Sequence, residues 1–352
     1  MARLVVIAPG RGSYNRTELS YLKRFADHPR AAARAELAAQ ADGFRAKLGR
    51  STISELDGAT SYSPRTHLPG ENASALIYTC AAADLAMIDP SHQIAATLGN
   101  SMGWYIALHA GGALSFEQGF KLIETMGYFQ KGNVLGGQVI YPVVDETWQA
   151  DADREAAVMA AIEEVCALGE DHWVGLSIRL GGLLVLAGTD LGVKALLGAL
   201  PKVKMGPNEY PFQLARHSAF HTHIMRDTSS RALYQLNGLT WGQPKIPTID
   251  GRGYIWRPQR TDFGDLQDYT LGHQVVEPYD FSASLRVALR EYNPDHLVLL
   301  GPGETMGGAI AQVIIAEGWR GIDSKSAFIA AQKDKAPPLI SMNRKEQAQL
   351  II

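Results

Sequence analysis

The stretch Gln93-Ile94-Ala95-Ala96-Thr97-Leu98-Gly99-Asn100-Ser101-Met102-Gly103-Trp104-Tyr105-Ile106-Ala107-Leu108 decides the fold. Its first six residues read as a buried strand and its last five as a helix. The Gly-x-Ser-x-Gly between them has the form of a nucleophile elbow. Glycines on both sides of the serine suit a sharp, strained turn, which needs close backbone approach and relaxed torsions. The serine hydroxyl then stands at a helix N-terminus, where amide groups and the helix dipole favour developing negative charge. The same five residues also fit a tight turn whose serine only caps the helix. The rest of the chain has to separate these two readings.

Working outward, Leu4 to Ala8 is a short apolar run closed by Pro9-Gly10-Arg11-Gly12-Ser13, which fits a buried parallel strand and the loop that leaves it. Residues 31 to 48 are rich in Ala with interspersed Arg, Glu and Lys, and read as a helix, as does the stretch from about Ala73 to Met87. Ser115 to Lys131 opens on a near capping box and carries Phe116, Phe120, Ile123 and Met126 at helical spacing. His296 to Leu300 is another buried strand, followed by Gly301-Pro302-Gly303-Glu304. Strands alternating with helices of this length predict an α/β fold around a parallel sheet. The polar stretch from Thr240 to Asp268 reads as a long surface loop with room for a short hairpin.

The character changes after Gly132. Gln138–Val144 reads as a strand, Ala152–Leu168 as a helix with Val158, Ile162 and Val165 on one stripe, and Trp173–Leu180 with Leu183–Ala187 as a hairpin turned at Gly181-Gly182. Leu191–Leu200 reads as a second helix and Pro211–Ala215 as a returning strand. This β-α-β-β-α-β order is that of a ferredoxin-like module. The expected organisation is a large domain from residues 1–134 and 209–352 and a small inserted domain from 135–208.

The 352 residues, 46% hydrophobic and 20% charged, suffice for a large core and a second domain. A net charge of −3 gives no global basic field for nucleic acid or an anionic membrane. Cys80 and Cys166 have no metal-ligand spacing, which fits a reduced, cytoplasmic setting. The apolar run in residues 1 to 10 is too short for a signal peptide and ends in Pro-Gly. No stretch approaches the apolar length of a membrane span.

A serine needs a base, and the best source is Arg216-His217-Ser218-Ala219-Phe220-His221-Thr222-His223. Three histidines in seven residues suggest a metal, but no third ligand is well spaced and no His-Glu-x-x-His occurs. Gly10-x-Gly12 and Gly301-x-Gly303 follow strands, yet neither completes the Gly-x-Gly-x-x-Gly of a dinucleotide site.

Taken in order, the motifs resemble those of the malonyl-CoA:acyl-carrier-protein transacylases and the acyltransferase domains of polyketide and fatty-acid synthases. Pro9-Gly10-Arg11-Gly12-Ser13 is similar to that family's Pro-Gly-Gln-Gly-Ser, and Gly99 to Tyr105 to its Gly-His-Ser-Leu-Gly-Glu-Tyr. Ala110 to Glu117 reads as the family does after its elbow. Ser218-Ala219-Phe220-His221 matches the segment bearing the catalytic histidine, His273 to Pro278 resembles Arg-Gln-Leu-x-x-Pro, and Gly301-Pro302-Gly303 the late Gly-Pro-Gly. The resemblance implies an α/β-hydrolase-like large domain carrying the ferredoxin-like insert. It implies Ser101 as nucleophile, His221 as general base and then acid, and the backbone carbonyl of Gln274 as the group that orients the histidine. The oxyanion hole would be the backbone N–H groups of Met102 and Arg11. The substrates would be acyl-CoA and an acyl carrier protein, with no further cofactor and no metal.

The departures bear on specificity. Where malonyl-specific members carry a carboxylate-binding arginine, this chain has Met126. A thioether cannot pair a carboxylate, so a neutral acyl group is expected. Trp104 and Asn100 replace Glu and His beside the serine, and Trp104 is expected to add apolar area to the acyl pocket. Phe220 resembles the variant that disfavours a branched extender. Arg11 replaces Gln and reads either as a solvated surface arginine or as a relocated cation for a carboxylate or a CoA phosphate. An acyl-carrier-protein hydrolase, a malonyl transferase using Arg11 and a silent carrier-binding scaffold remain as alternatives.

Overall fold

The computed structural model describes residues 1–352. Six strands form the main sheet in the order Ile255–Trp256, Thr248–Ile249, Gln93–Gly99, Arg3–Ala8, His296–Leu299, Leu339–Ser341. Every neighbouring pair is parallel except the first. The central strand is Arg3–Ala8, with Val6 opposite Thr97 on one side and Val298 on the other. Leu4 to Ala8 are wholly inaccessible, as expected of a strand covered on both faces, and this explains their unbroken apolar run. The helix Gly70–Leu85 is buried almost all round and shows no stripe for that reason. It packs against Phe116–Tyr128, which Ser115 caps by accepting the Gln118 N–H. The α/β class read from the sequence holds.

A second sheet runs Tyr279–Asp280, Val174–Leu180, Leu183–Gly188, Gly137–Pro142, Phe212–Gln213. With the helices Ala152–Cys166 and Asp190–Ala199 it follows the β-α-β-β-α-β order. Strand alternation divides its residues between two faces. Val139, Tyr141, Leu184 and Leu186 pack with Val158, Val165 and Leu196 of the two helices in a core of their own. Ile140, Leu183 and Val185, at the alternate positions, face a cleft against the large domain. The sheet reaches past residue 208 to Gln213 and takes one further strand, Tyr279–Asp280, from the chain after the insert. A small separate hairpin, Val203–Met205 with Asn208–Tyr210, lies between the second helix and the last strand of the insert.

The stretch from Thr240 to Asp268 is not a surface loop. Thr248 and Ile249 pair in parallel with Thr97 and Leu98, and Thr248, Ile249 and Asp250 are fully buried. A two-residue strand is too short to show a period, so its polar neighbours outweighed it in the sequence. The expected hairpin is present, Ile249 pairing with Ile255. No helix is long and apolar enough to cross a membrane.

Candidate active site

Ser101 lies between the strand Gln93–Gly99 and the helix Gly103–Ala110 with φ at +54°, the left-handed region that a non-glycine residue enters only under constraint. The flanking glycines make that turn possible. A Cβ on Gly99 would stand 2.2 Å from the Gly103 carbonyl carbon, and one on Gly103 would stand 2.4 Å from the Ala8 carbonyl oxygen. The Asn100 N–H donates to Ala8 at 3.2 Å, which ties the elbow to the central strand.

His221 meets the serine from another part of the chain, its Nε2 2.7 Å from Ser101 Oγ. Its Nδ1 lies 2.6 Å from the Gln274 carbonyl oxygen. A carbonyl only accepts, so Nδ1 carries the proton and Nε2 presents its lone pair to the serine hydroxyl. The ring is fully buried. Burial lowers its pKa to about 4, against the opposing pull of the Gln274 carbonyl, so the imidazole is neutral at neutral pH. His221 also has positive φ, at +62°. Its N–H donates to Val275 at 2.8 Å, and the preceding Phe220 carbonyl accepts from Ser177 Oγ of the small sheet at 2.9 Å.

Gln274 acts at both residues. Beyond its carbonyl to His221, its Nε2 donates to the Ser101 carbonyl at 3.1 Å, while its Oε1 accepts from Tyr105 at 3.0 Å. Tyr279 fixes the elbow from outside the motif by donating to the Gly99 carbonyl at 2.6 Å. The side chains of Tyr105, Gln274 and Tyr279 escaped sequence reading because nothing in their spacing links them to residue 101. The other two histidines go elsewhere. His217 contacts the Ala215 carbonyl and lines the cleft, and His223 packs edge-on against Trp173. No group of three or more His, Cys, Asp or Glu side chains is arranged to hold a metal ion.

Two spaces meet at Ser101. The larger is the interdomain cleft, about 400 Å³, lined by Asn100, Ile178, Val185, Phe212 and Phe220 among others. The smaller, about 40 Å³, lies between Ser101, Met102, Met126, Arg11, Gln130 and Phe220. It holds roughly three water-sized groups at about 10–15 Å³ each. The backbone N–H groups of Met102 and Arg11 have no acceptor within the protein, as an oxyanion site requires.

Of the residues expected at the acyl pocket, Met126 and Phe220 line the small cavity, whereas Asn100 lines the larger cleft with its Oδ1 unpartnered. Trp104 is a correction. It is fully buried away from both spaces, with Nε1 donating to Thr270 and its ring edge-on to Tyr269. Three residues past the serine, the helix has turned that side chain into the core. Arg11 is not a solvated surface arginine either, because its guanidinium reaches across the small cavity to Gln130.

No protein-family model matches the chain. The malonyl CoA-acyl carrier protein transacylase of Bacillus subtilis is 24% identical over 218 residues, covering 62% of this chain and 64% of that protein. The Escherichia coli K12 enzyme of the same name is 22% identical over 236 residues, 66% of this chain and 70% of its own. Among solved structures, a malonyl-transacylase in complex with its type II polyketide acyl-carrier protein superposes with a TM-score of 0.74 at 16% identity, covering 99% of this chain and 98% of that one. The chain resembles the malonyl-CoA:acyl-carrier-protein transacylases. The likeness to the solved transacylases is one of fold. In sequence, the matched stretch spans less than two thirds of the Bacillus transacylase's length.

Proposed function

We propose that this chain transfers an acyl group from acyl-CoA to the phosphopantetheine thiol of an acyl carrier protein, by way of an ester on Ser101. The observation that carries the reading is the 2.7 Å Ser101–His221 contact, with the histidine held in its proton-accepting tautomer by Gln274. The transacylase relatives support the substrate classes.

In the first half, Ser101 Oγ attacks the thioester carbonyl carbon as His221 Nε2 takes the hydroxyl proton. The oxyanion forms against the free N–H groups of Met102 and Arg11, each contributing roughly 3 kcal/mol. The C–S bond then breaks, and His221 returns the proton to the departing CoA sulfur. In the second half, the carrier thiol gives its proton to His221 and attacks the ester carbonyl. The ester C–O bond then breaks and His221 Nε2 returns the proton to Ser101 Oγ. The apolar cleft suits the pantetheine arm, and the 40 Å³ cavity suits a short acyl group. Met126 brings no charge to that cavity and by itself would leave it to a neutral acyl chain.

The test is intact-protein mass after brief incubation with acetyl-, butyryl- and malonyl-CoA, followed by holo carrier protein. An adduct that is absent in Ser101→Ala and moves to the carrier thiol is expected. An adduct released as free acid with the carrier still unloaded makes the protein a hydrolase, and no adduct with no CoA release sinks the reading.

A further inference from the structure

We infer that a groove on the outer side of the helix Phe116–Tyr128 binds an aliphatic monocarboxylate whose chain is too long for the cavity beside Ser101. The site is separate from the catalytic one and does not depend on the acyl-transfer reading. One side of the helix lines the small cavity through Ile123, Met126 and Gly127. The other side forms the groove, together with the C-terminal end of the helix Ala31–Lys47 and the segment that follows it to Arg50. The two spaces have no lining residue in common, and the groove measures about 450 Å³ against about 40 Å³ for the cavity.

The groove has an apolar floor and a basic rim. Phe44 and Phe120 stack with their ring centres 5.5 Å apart, and Phe129 and the exposed Leu48 extend that surface. Lys47, Arg50 and Lys121 stand around it. The two lysines are exposed and enter no ion pair. Arg50 is fixed in place, its guanidinium carbon 3.9 Å from the centre of the Tyr128 ring and its Nη1 3.2 Å from Glu124. Glu124 already serves the buried Arg45 at 2.5 Å, on which Glu71 and Asp42 also act from behind the wall. Glu117 is the one other carboxylate on the groove. Three cations thus face two carboxylates, one of them committed to Arg45.

A guanidinium takes a carboxylate through two N–H groups, and stacking on Tyr128 orients that fork before the ligand arrives. Lys121 adds a second cation for the same headgroup. The floor supplies the largely apolar lining that ligand sites share, and it matches an alkyl chain. A short carboxylate would leave the floor uncovered, and a neutral chain would leave the cations unanswered. The ligand that fits both is an anion with a long aliphatic tail.

The test is calorimetric titration of the whole protein with decanoate and with butyrate, which carry one headgroup on chains of different length. Decanoate is expected to bind at one molecule per chain, and butyrate about thirtyfold more weakly or worse, since six methylenes are lost. Arg50→Gln and Lys121→Glu should each weaken decanoate by about tenfold or more, as the loss of a charge-assisted hydrogen bond requires. Arg50→Gln leaves Glu124 paired with Arg45, so the fold is kept. Leu48→Asp, at an exposed position, should weaken decanoate from the apolar side. Excess CoA, the ligand proposed for the cleft, should leave the affinity unchanged. No binding by wild type, binding that CoA displaces, or binding that none of the three variants weakens overturns the inference. Equal affinity for butyrate and decanoate would reduce the site to surface charge and overturn it as well. Labelling of Ser101 is read separately by mass, so either reading can fail without the other.

Discussion

Ser101 and His221 touch, and both sit at positive φ, but they are held there by different means. The serine is held by its neighbours in sequence: Gly99 and Gly103 let strand, turn and helix close on the Ala8 carbonyl. The histidine is held by distant groups, the Gln274 carbonyl 53 residues on, the Val275 carbonyl and Ser177 of the second sheet. One half of the dyad is thus a local motif, and the other is assembled where two sheets and a late helical segment meet. Strain at the serine is maintained by packing that a single methyl group would spoil. Strain at the histidine is maintained by hydrogen bonds that several elements share.

The sharpest way to break the comparison is at the base. His221→Ala should slow acylation of Ser101 by roughly 10³-fold, read by rapid-quench mass measurement, with the segment still held by the residue-221 N–H to the Val275 carbonyl and by Ser177 Oγ to the Phe220 carbonyl. A loss below tenfold would mean that another group takes the serine proton. Gly103→Ala tests the local half. Its new Cβ would lie 2.4 Å from the Ala8 oxygen, so chemical denaturation should show a loss of about 3 kcal/mol. A neutral result would mean that the elbow has slack. Gln274→Met removes the side-chain bonds to Ser101 and Tyr105 and keeps the carbonyl that orients His221. A drop of about tenfold in the acylation rate, with little change in the concentration of CoA ester giving half-maximal rate, is expected. An unchanged rate would assign all of Gln274's role to its main chain.

The same division sets what the sequence could disclose. The elbow, the central strand and the hairpin at Gly181-Gly182 were legible because neighbours in the chain determine them. Thr248–Ile249 was not, since a two-residue strand owes its burial to the sheet that it joins. Trp104 was misplaced for a related reason: its residue type suited a pocket, and the helix rotation that carries it into the core cannot be read from type. The sequence around Arg11 fits both a surface and a pocket position, and only the side-chain reach to Gln130 in three dimensions separates the two. The small hairpin at residues 203–210 did leave a signal, Gly206-Pro207, with Gly206 at a φ of +57°.

The smallest expected effect lies in the pH profile, and it tests the histidine's surroundings without altering a residue. Burial disfavours the imidazolium, so the folded-state pKa of His221 falls from an ordinary 6.5 to about 4. The base form therefore persists well below neutrality, and acylation of Ser101 should stay nearly flat from about pH 5 to 8 before falling as pH drops through about 4. Stability follows a different course. In the unfolded chain the histidine takes up its proton near pH 6.5, while the folded protein resists it down to about 4. This group's contribution to stability is therefore complete above pH 6.5 and is lost progressively as pH falls from there towards 4. At pH 5 the protein should be close to fully active yet measurably less stable than at pH 7. An acylation profile that bends near pH 6.5 would place His221 in contact with water, and its enclosure by remote segments would then be looser than the serine's.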